Sequence, residues 1–471
     1  MSFMLLDLIF LVLFISFTSI FLYKNKTKLT KQGWMFLYHT QWGVNLIHKT
    51  GEKYKKTLKF LSYISVTLGY MLMAGMLWLF ARILWIYIFN QDAVRAIKIP
   101  PIMPLIPYLP QIFKLTFLPP FYFTYWIIIL AVIAITHEFF HGIFAKISNI
   151  KTKTTGFGFF PFFLPIFLAA FVELDEKIMQ KKSSFKQRAV LSAGTFANLL
   201  TAVAGILILW GFFTIAFSPA GIVFDDYAYG IVNTSDINYV NGIQLNNPTY
   251  DQVMSGINES SLNDIRTQNE NFSNLRGTSS DGSIIAAYYS APAIKAGIYG
   301  PITKVNNEPI SNLETFSKEL GTHSPGEEIT IGTLVNREEI EYKVILEENP
   351  ISEGEAWLGV SFSKISNSKG VVSRIAATTT FYKEPHAYYI PNHEWQQFVY
   401  DLIWWLIIIS FSVALINMLP MGIFDGGRFF YLTVLSLTKS KSKAEKAFKG
   451  ITKFFLLLLL IIMAAWLFSF F

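Results

Sequence analysis

Cysteine is absent from the 471 residues and charge is scarce: 15% of the chain is Asp, Glu, Lys or Arg, against about 25% in ordinary soluble domains. The first absence excludes disulfides, cysteine nucleophiles, iron–sulfur clusters and cysteine-type structural zinc sites. The second, together with 52% hydrophobic and 16% aromatic residues, argues against a single soluble enzyme. What charge there is lies unevenly. Residues 219–398 hold 22 acidic against 11 basic side chains, whereas the rest of the chain holds 10 acidic against 28 basic. An acidic, water-soluble section is therefore set between two basic, apolar halves. The net charge of +7 does not point to nucleic acid as a partner, because the lysines cluster beside apolar runs, where topology accounts for them.

Six segments approach the roughly 20 apolar residues that a helix needs to cross a bilayer: Ser2–Tyr23, Lys59–Phe89, Phe121–Ile147, Gln187–Phe217, Val399–Leu419 and Ile451–Phe471. The first has no basic residue before its apolar run and no small-residue cleavage site, which predicts a retained anchor. Lysines gather in 24–56, 146–188 and 439–453, and counting spans puts all three connections on one side, expected to be cytoplasmic. Both termini and the acidic section are then extracytoplasmic or lumenal. Asp7 and Arg82 are expected to reach the membrane interface from the outer ends of their spans. Seven prolines between Pro100 and Pro120 exclude a continuous helix there and suggest an interfacial loop. Gly156–Glu173 is apolar but interrupted by glycines and two prolines. With lysines at both flanks it reads as a re-entrant hairpin, tolerated at depth only where protein or a water-filled cavity satisfies its backbone.

The third span contains Thr136-His137-Glu138-Phe139-Phe140-His141. Histidines at i and i+4 lie one turn apart on one helix face, where they can share a divalent ion, and Glu138 projects beside them as a candidate general base. This HExxH spacing is the zinc-metalloprotease signature; the alternative is a pair of core histidines with a partnered glutamate. A catalytic zinc takes three protein ligands and keeps one open position. His39 and His48 lie in the basic loop, and His323, His386 and His393 lie in the section expected outside. The fifth span runs into Asn417-Met418-Leu419-Pro420-Met421-Gly422-Ile423-Phe424-Asp425-Gly426-Gly427, where proline and glycines break the helix near the depth of His141. Asp425 is there either a third ligand or a turn carboxylate. In the fourth span, Ser192-Ala193-Gly194-Thr195-Phe196-Ala197-Asn198 offers small residues for close helix approach. Asn198 is a polar intrusion that either donates to a transition-state oxyanion or bonds a neighbouring helix.

Together, His137-Glu138-x-x-His141, Gly194-x-x-x-Asn198 and Asn417-x-x-Pro420-x-x-x-x-Asp425-Gly426 resemble the site-2 protease family of intramembrane zinc metalloproteases, in the family's order. The resemblance implies His137, His141 and Asp425 as ligands of one catalytic Zn2+, Glu138 as the base, and Asn198 as a residue that steadies substrate or transition state. It also implies that Gly156–Glu173 is the family's re-entrant β-loop, which engages substrate. Phe424 and Thr195 depart from the usual Leu and Pro without removing a ligand. Within the acidic section, Ala291-Pro292-Ala293-x-x-Ala296-Gly297, followed by short alternating stretches with turn signals at Asn306-Asn307, Pro325-Gly326 and Asn336-Arg337, looks like a PDZ domain.

The expected fold is a polytopic α-helical membrane protein of about six transmembrane helices, with a re-entrant β-hairpin and an inserted, mostly-β, PDZ-like extracytoplasmic domain. The expected organisation is N-terminal spans with a basic loop and a Pro-rich loop (1–120), a catalytic membrane core (121–218), a polar insertion, elaborated or partly disordered (219–282), the PDZ-like domain (283–365), a linker (366–398), the DG-motif helix (399–436) and a last span (437–471). The expected activity is that of a zinc metalloendopeptidase cutting transmembrane segments of membrane-protein substrates trimmed beforehand by another protease. The PDZ-like domain would bind a peptide or C-terminus, or gate access. The rival readings are a transporter or ion-binding protein using buried His, Glu and Asp, and a non-catalytic relative that binds membrane helices.

Overall fold

The computed structural model describes residues 3–32, 35–90, 103–115, 118–159, 168–258, 260–335, 338–350, 352–362 and 381–468. Pro100, Pro101, the tip of the expected hairpin at 160–167, the Asn336-Arg337 turn and linker residues 366–380 lie outside the described residues. The chain divides into two compact units, one of residues 1–209 with 398–471 and the other of residues 210–397.

Among the described residues of the first unit and its extensions, six helices are long and apolar enough to cross a membrane: α1 (Phe3–Lys24), α3 (Lys55–Phe89), α4 (Phe123–Ile147), α5 (Ser184–Ala216), α6 (Glu394–Asn417) and α8 (Lys441–Phe468). Each covers one of the six apolar runs. Two further helices flank them, α2 (Trp42–Lys53) and α7 (Asp425–Thr438). One core of this unit joins Ile47, Val66, Met73, Ile143, Phe144, Ala193, Phe196, Ala414, Met418 and Phe429. Helix α3 approaches α5 closely, with Ser65 Oγ 2.8 Å from Ser192 Oγ. At Gly69 a side chain would press within 3.1 Å of Ser192 Cβ.

The start of α4 is fixed from α1. Asp7 is only 2% exposed, and its carboxylate accepts from Phe123 N–H (2.8 Å), Thr124 N–H (2.9 Å), Thr124 Oγ1 (2.5 Å) and Tyr108 Oη (2.5 Å). The first amides of a helix have no partner within it and carry its positive end, so a carboxylate there satisfies both needs. This corrects the expectation that Asp7 reaches an interface: it serves as a cap supplied by another helix. Part of the Pro-rich loop packs against the same end, where Leu105 C=O accepts from Trp126 Nε1 at 2.8 Å.

The basic loop is also more than a loop. It holds β1 (Leu29–Gln32) and β2 (Met35–Thr40), and β2 pairs antiparallel with β3 (Thr152–Phe159), which pairs with β4 (Leu168–Leu174). The result is a four-stranded sheet in the order β1-β2-β3-β4, with β4 at one edge. Gly156 is needed where β2 and β3 cross, because a side chain there would meet the Tyr38 carbonyl.

The second unit carries two six-stranded sheets. One runs Tyr229–Asn233, Ile284–Tyr289, Asn271–Thr278, Ile265–Arg266, Tyr239–Val240, Ile243–Gln244 over a core of Ile237, Val240, Val253, Ile265, Phe272, Ile285 and Ala287. The section expected to be elaborated or partly disordered is thus a folded sheet with its own core. The other sheet runs Glu338–Ile345, Glu328–Val335, Ile302–Val305, Phe217–Ile222, Ala387–Pro391, with Glu308–Pro309 paired beside it. Helix Leu313–Leu320 lies in this region, begun by a capping box between Asn312 and Thr315, and it contributes Phe316 to a core with Ile302, Val305, Ile329 and Ile331. The short helix Pro292–Ala296 has proline in its first turn and ends on Gly297 at φ 64°, the left-handed conformation that glycine adopts without cost.

Candidate metal centre

Helix α4 presents His137 and His141 one turn apart, and their Nε2 atoms lie 3.0 Å from each other. Asp425, the first residue of α7, brings Oδ2 to 3.4 Å from His137 Nε2 and 3.2 Å from His141 Nε2. It reaches this position because α6 stops at Asn417. The following turn, with Pro420 buried, packs tightly against the start of α7. Side chains at Gly426 or Gly427 would run into the carbonyls of Met418, Leu419 and Met421. Asn417 and Pro420 therefore end one helix, and Gly426 lets the next begin alongside it.

Three ligand atoms placed about 2.0–2.1 Å from one tetrahedral centre stand about 3.3–3.4 Å apart, and the observed separations of 3.0, 3.2 and 3.4 Å match that triangle. Two imidazole nitrogens and one carboxylate oxygen are also a donor set that zinc accepts. Gly194 keeps the centre open: a methyl group there would lie 2.5 Å from His141 Nε2 and as close to His137 Nε2. The residues present fit a single zinc ion, and three donors leave the fourth tetrahedral position to water or substrate.

Each imidazole is also held from behind by α5. His141 Nδ1 lies 2.6 Å from the Val190 carbonyl; a carbonyl only accepts, so Nδ1 carries a proton, and in the neutral ring Nε2 keeps the lone pair that a metal ion would take. His137 Nδ1 lies 3.1 Å from the side-chain amide of Asn198, on the opposite edge of the ring from the meeting of the Nε2 atoms. Glu138 offers a carboxylate within 4.8 Å of both histidines, and its Oε2 accepts from the Val172 N–H of β4 at 2.9 Å. The structure thus brings His137, Glu138, His141, Gly194, Asn198 and Asp425 together. His39 instead bonds Thr30 and Thr154, and His48 faces Lys146.

Two participants are invisible to residue-type reasoning, since Val172 and Val190 act through backbone groups that any residue supplies. The signal for Val190 is its spacing: residues 190, 194 and 198 recur every fourth position on one face of α5.

Among known proteins, an uncharacterized protein of Methanocaldococcus jannaschii is 35% identical over 125 residues, which are 26% of this chain and 33% of that protein. The chain thus spans about a third of the length of that relative. A profile of peptidase family M50, the site-2 protease family, whose members are zinc metalloproteases, matches residues 125–462, from the start of α4 to the last helix. With well over half of its length matched, from the helix of His137 past Asp425, the chain belongs to peptidase family M50.

Proposed function

We propose that the chain is an intramembrane zinc metalloendopeptidase that hydrolyses a peptide bond within, or at the edge of, a transmembrane segment of a substrate protein. One observation carries this reading: His137 Nε2, His141 Nε2 and Asp425 Oδ2 meet in a unit built from membrane-length helices, with the Glu138 carboxylate beside them. His137, His141 and Asp425 would hold one zinc ion, which when bound supplies a Lewis acid that polarises a peptide carbonyl and makes water nucleophilic near neutral pH. Glu138 acts as general base, taking the proton of the attacking water and passing it to the leaving amine. The Val172 N–H aims the Glu138 carboxylate.

A helical substrate hides its carbonyls in its own hydrogen bonds, so the cut segment must first be unwound. Strands β3 and β4 form the legs of a re-entrant hairpin in this reading, and the outer edge of β4 gives the unwound segment a partner for its backbone. Residues 283–365 act as a PDZ-like module that binds a peptide or C-terminus or admits only substrates already trimmed by another protease. The basic connections label the cytoplasmic face, with the metal centre nearer that face and the termini and PDZ-like module on the other.

The test is Glu138→Gln in the full-length protein beside the parent. Expected is unchanged zinc content with cleavage of a transmembrane reporter reduced by about 10²–10⁴-fold. Equal cleavage by the two proteins would reject the assignment. Membrane-protein fragments that accumulate with the parent and not with the variant would then name substrates.

A further inference from the structure

The Asn198 side chain is fully buried, and its Oδ1 has no hydrogen-bond partner among the described residues. Leaving such an acceptor unmade costs about 1–3 kcal/mol, so it calls for an explanation. The other end of the same amide stands 3.1 Å from His137 Nδ1. If His137 ligates through Nε2, the nitrogen that faces His141 and Asp425, then Nδ1 carries the ring proton and requires an acceptor, as His141 Nδ1 has in the Val190 carbonyl. Asn198 Nδ2 cannot accept; Oδ1 can. A half-turn of the amide exchanges the two atoms, gives His137 its acceptor and gives the orphaned oxygen its donor.

Helix α5 would then serve both ligands in the same way, with a carbonyl oxygen behind each ring: the backbone oxygen of Val190 for His141 and, eight residues later on the same face, the side-chain oxygen of Asn198 for His137. Between them Gly194 leaves the rings their space. Asn198 is also placed poorly for direct work on a reacting carbonyl, because it bonds the ring edge that points away from Asp425.

We propose that Asn198 is a positioning residue that accepts the Nδ1–H of His137 through Oδ1, fixing that ring's tautomer and aim, and that it is not a donor to the transition state. The proposal rests on the zinc reading above. It is tested by chelator competition for zinc on the purified full-length protein, beside reporter cleavage, for the parent, Asn198→Leu, Asn198→Asp and His137→Ala. Leu has the branching of Asn with more bulk and no acceptor; Asp keeps the size and the acceptor and lacks the amide donor. Expected are zinc affinity weakened about 10–100-fold by Asn198→Leu, and near-parental affinity with retained cleavage for Asn198→Asp. Parental zinc affinity in Asn198→Leu overturns the proposal, as does an Asn198→Asp protein that holds zinc but has lost cleavage, the pattern of a transition-state donor. Where Asn198→Leu does not accumulate as folded protein, Asn198→Asp decides alone by the same two readouts. His137→Ala reports on the zinc reading itself: parental affinity in that variant would bring down both readings, whereas weakened affinity there with an unchanged Asn198→Leu rejects only the positioning role.

Discussion

Helix α4 meets a carboxylate from another helix in two regions, and the two meetings are opposite in kind. At its first turn, Asp7 is surrounded by donors the protein supplies, two backbone amides and two hydroxyls. In its later turns, Asp425 faces two imidazole nitrogens that converge on the same point. Both acids belong to a largely apolar helical body, yet only the second leaves its charge for something else to neutralise. A buried carboxylate whose lone pairs are met by N–H and O–H groups is holding structure. One whose neighbours are themselves ligands is set up for a cation.

The sharpest way to break this comparison is Asp425→Ala, which removes one of the three proposed ligands. Zinc affinity should fall by more than the about 10–100-fold that loss of an outer-shell partner causes, and reporter cleavage should disappear with it; zinc retained at parental affinity would end the distinction. Val172→Pro is milder. Because the Val172 N–H points to Glu138 and away from β3, proline at this edge position deletes that donor while leaving the β3–β4 ladder in place. The turnover rate should drop about tenfold, the equivalent of one ordinary hydrogen bond, with zinc affinity unchanged; an unchanged rate would show that the base needs no tether. Asp7→Asn should have the smallest effect on chemistry. It places an amide donor among donors, costs about 1–3 kcal/mol seen as a lower melting temperature, and leaves zinc affinity at the parental value. A zinc defect in Asp7→Asn would mean that the two ends of α4 are not independent.

Much of the centre was legible because its chemistry is written in side chains at helical spacing. His137, Glu138 and His141 declare themselves by register, and the Pro-Gly break places Asp425 at a compatible depth. Asp7 was misjudged because sequence shows where a charge lies along its own helix and not what another helix brings to it. Strands β1 and β2 were missed since Lys31 and Gln32 and the surrounding lysines read as a solvated loop, whereas the pairing that orders them comes from β3, more than 100 residues away. The Asn- and Ser-rich stretch before Ser283 hid a sheet for a similar reason: a few residues, among them Ile237, Val240, Ile265 and Phe272, supply its core, and the polar majority dominates composition. Val172 and Val190 were beyond reach because a backbone group has no residue-type signature.

The four-stranded sheet has two outer strands, and they are unequal. Strand β1 is four residues long, Leu29-Thr30-Lys31-Gln32, and largely exposed; short length and a lysine are what blunt a strand against pairing with a stranger. Strand β4 has seven residues, six of them uncharged and apolar, with the Glu138 carboxylate against its rim. In the proposed function, one border of the sheet is blunted against strand addition and the other, beside Glu138, would be the one to receive an unwound substrate segment. On that reading the basic loop that carries β1 would add selectivity of approach to a centre whose proposed ligands it does not supply.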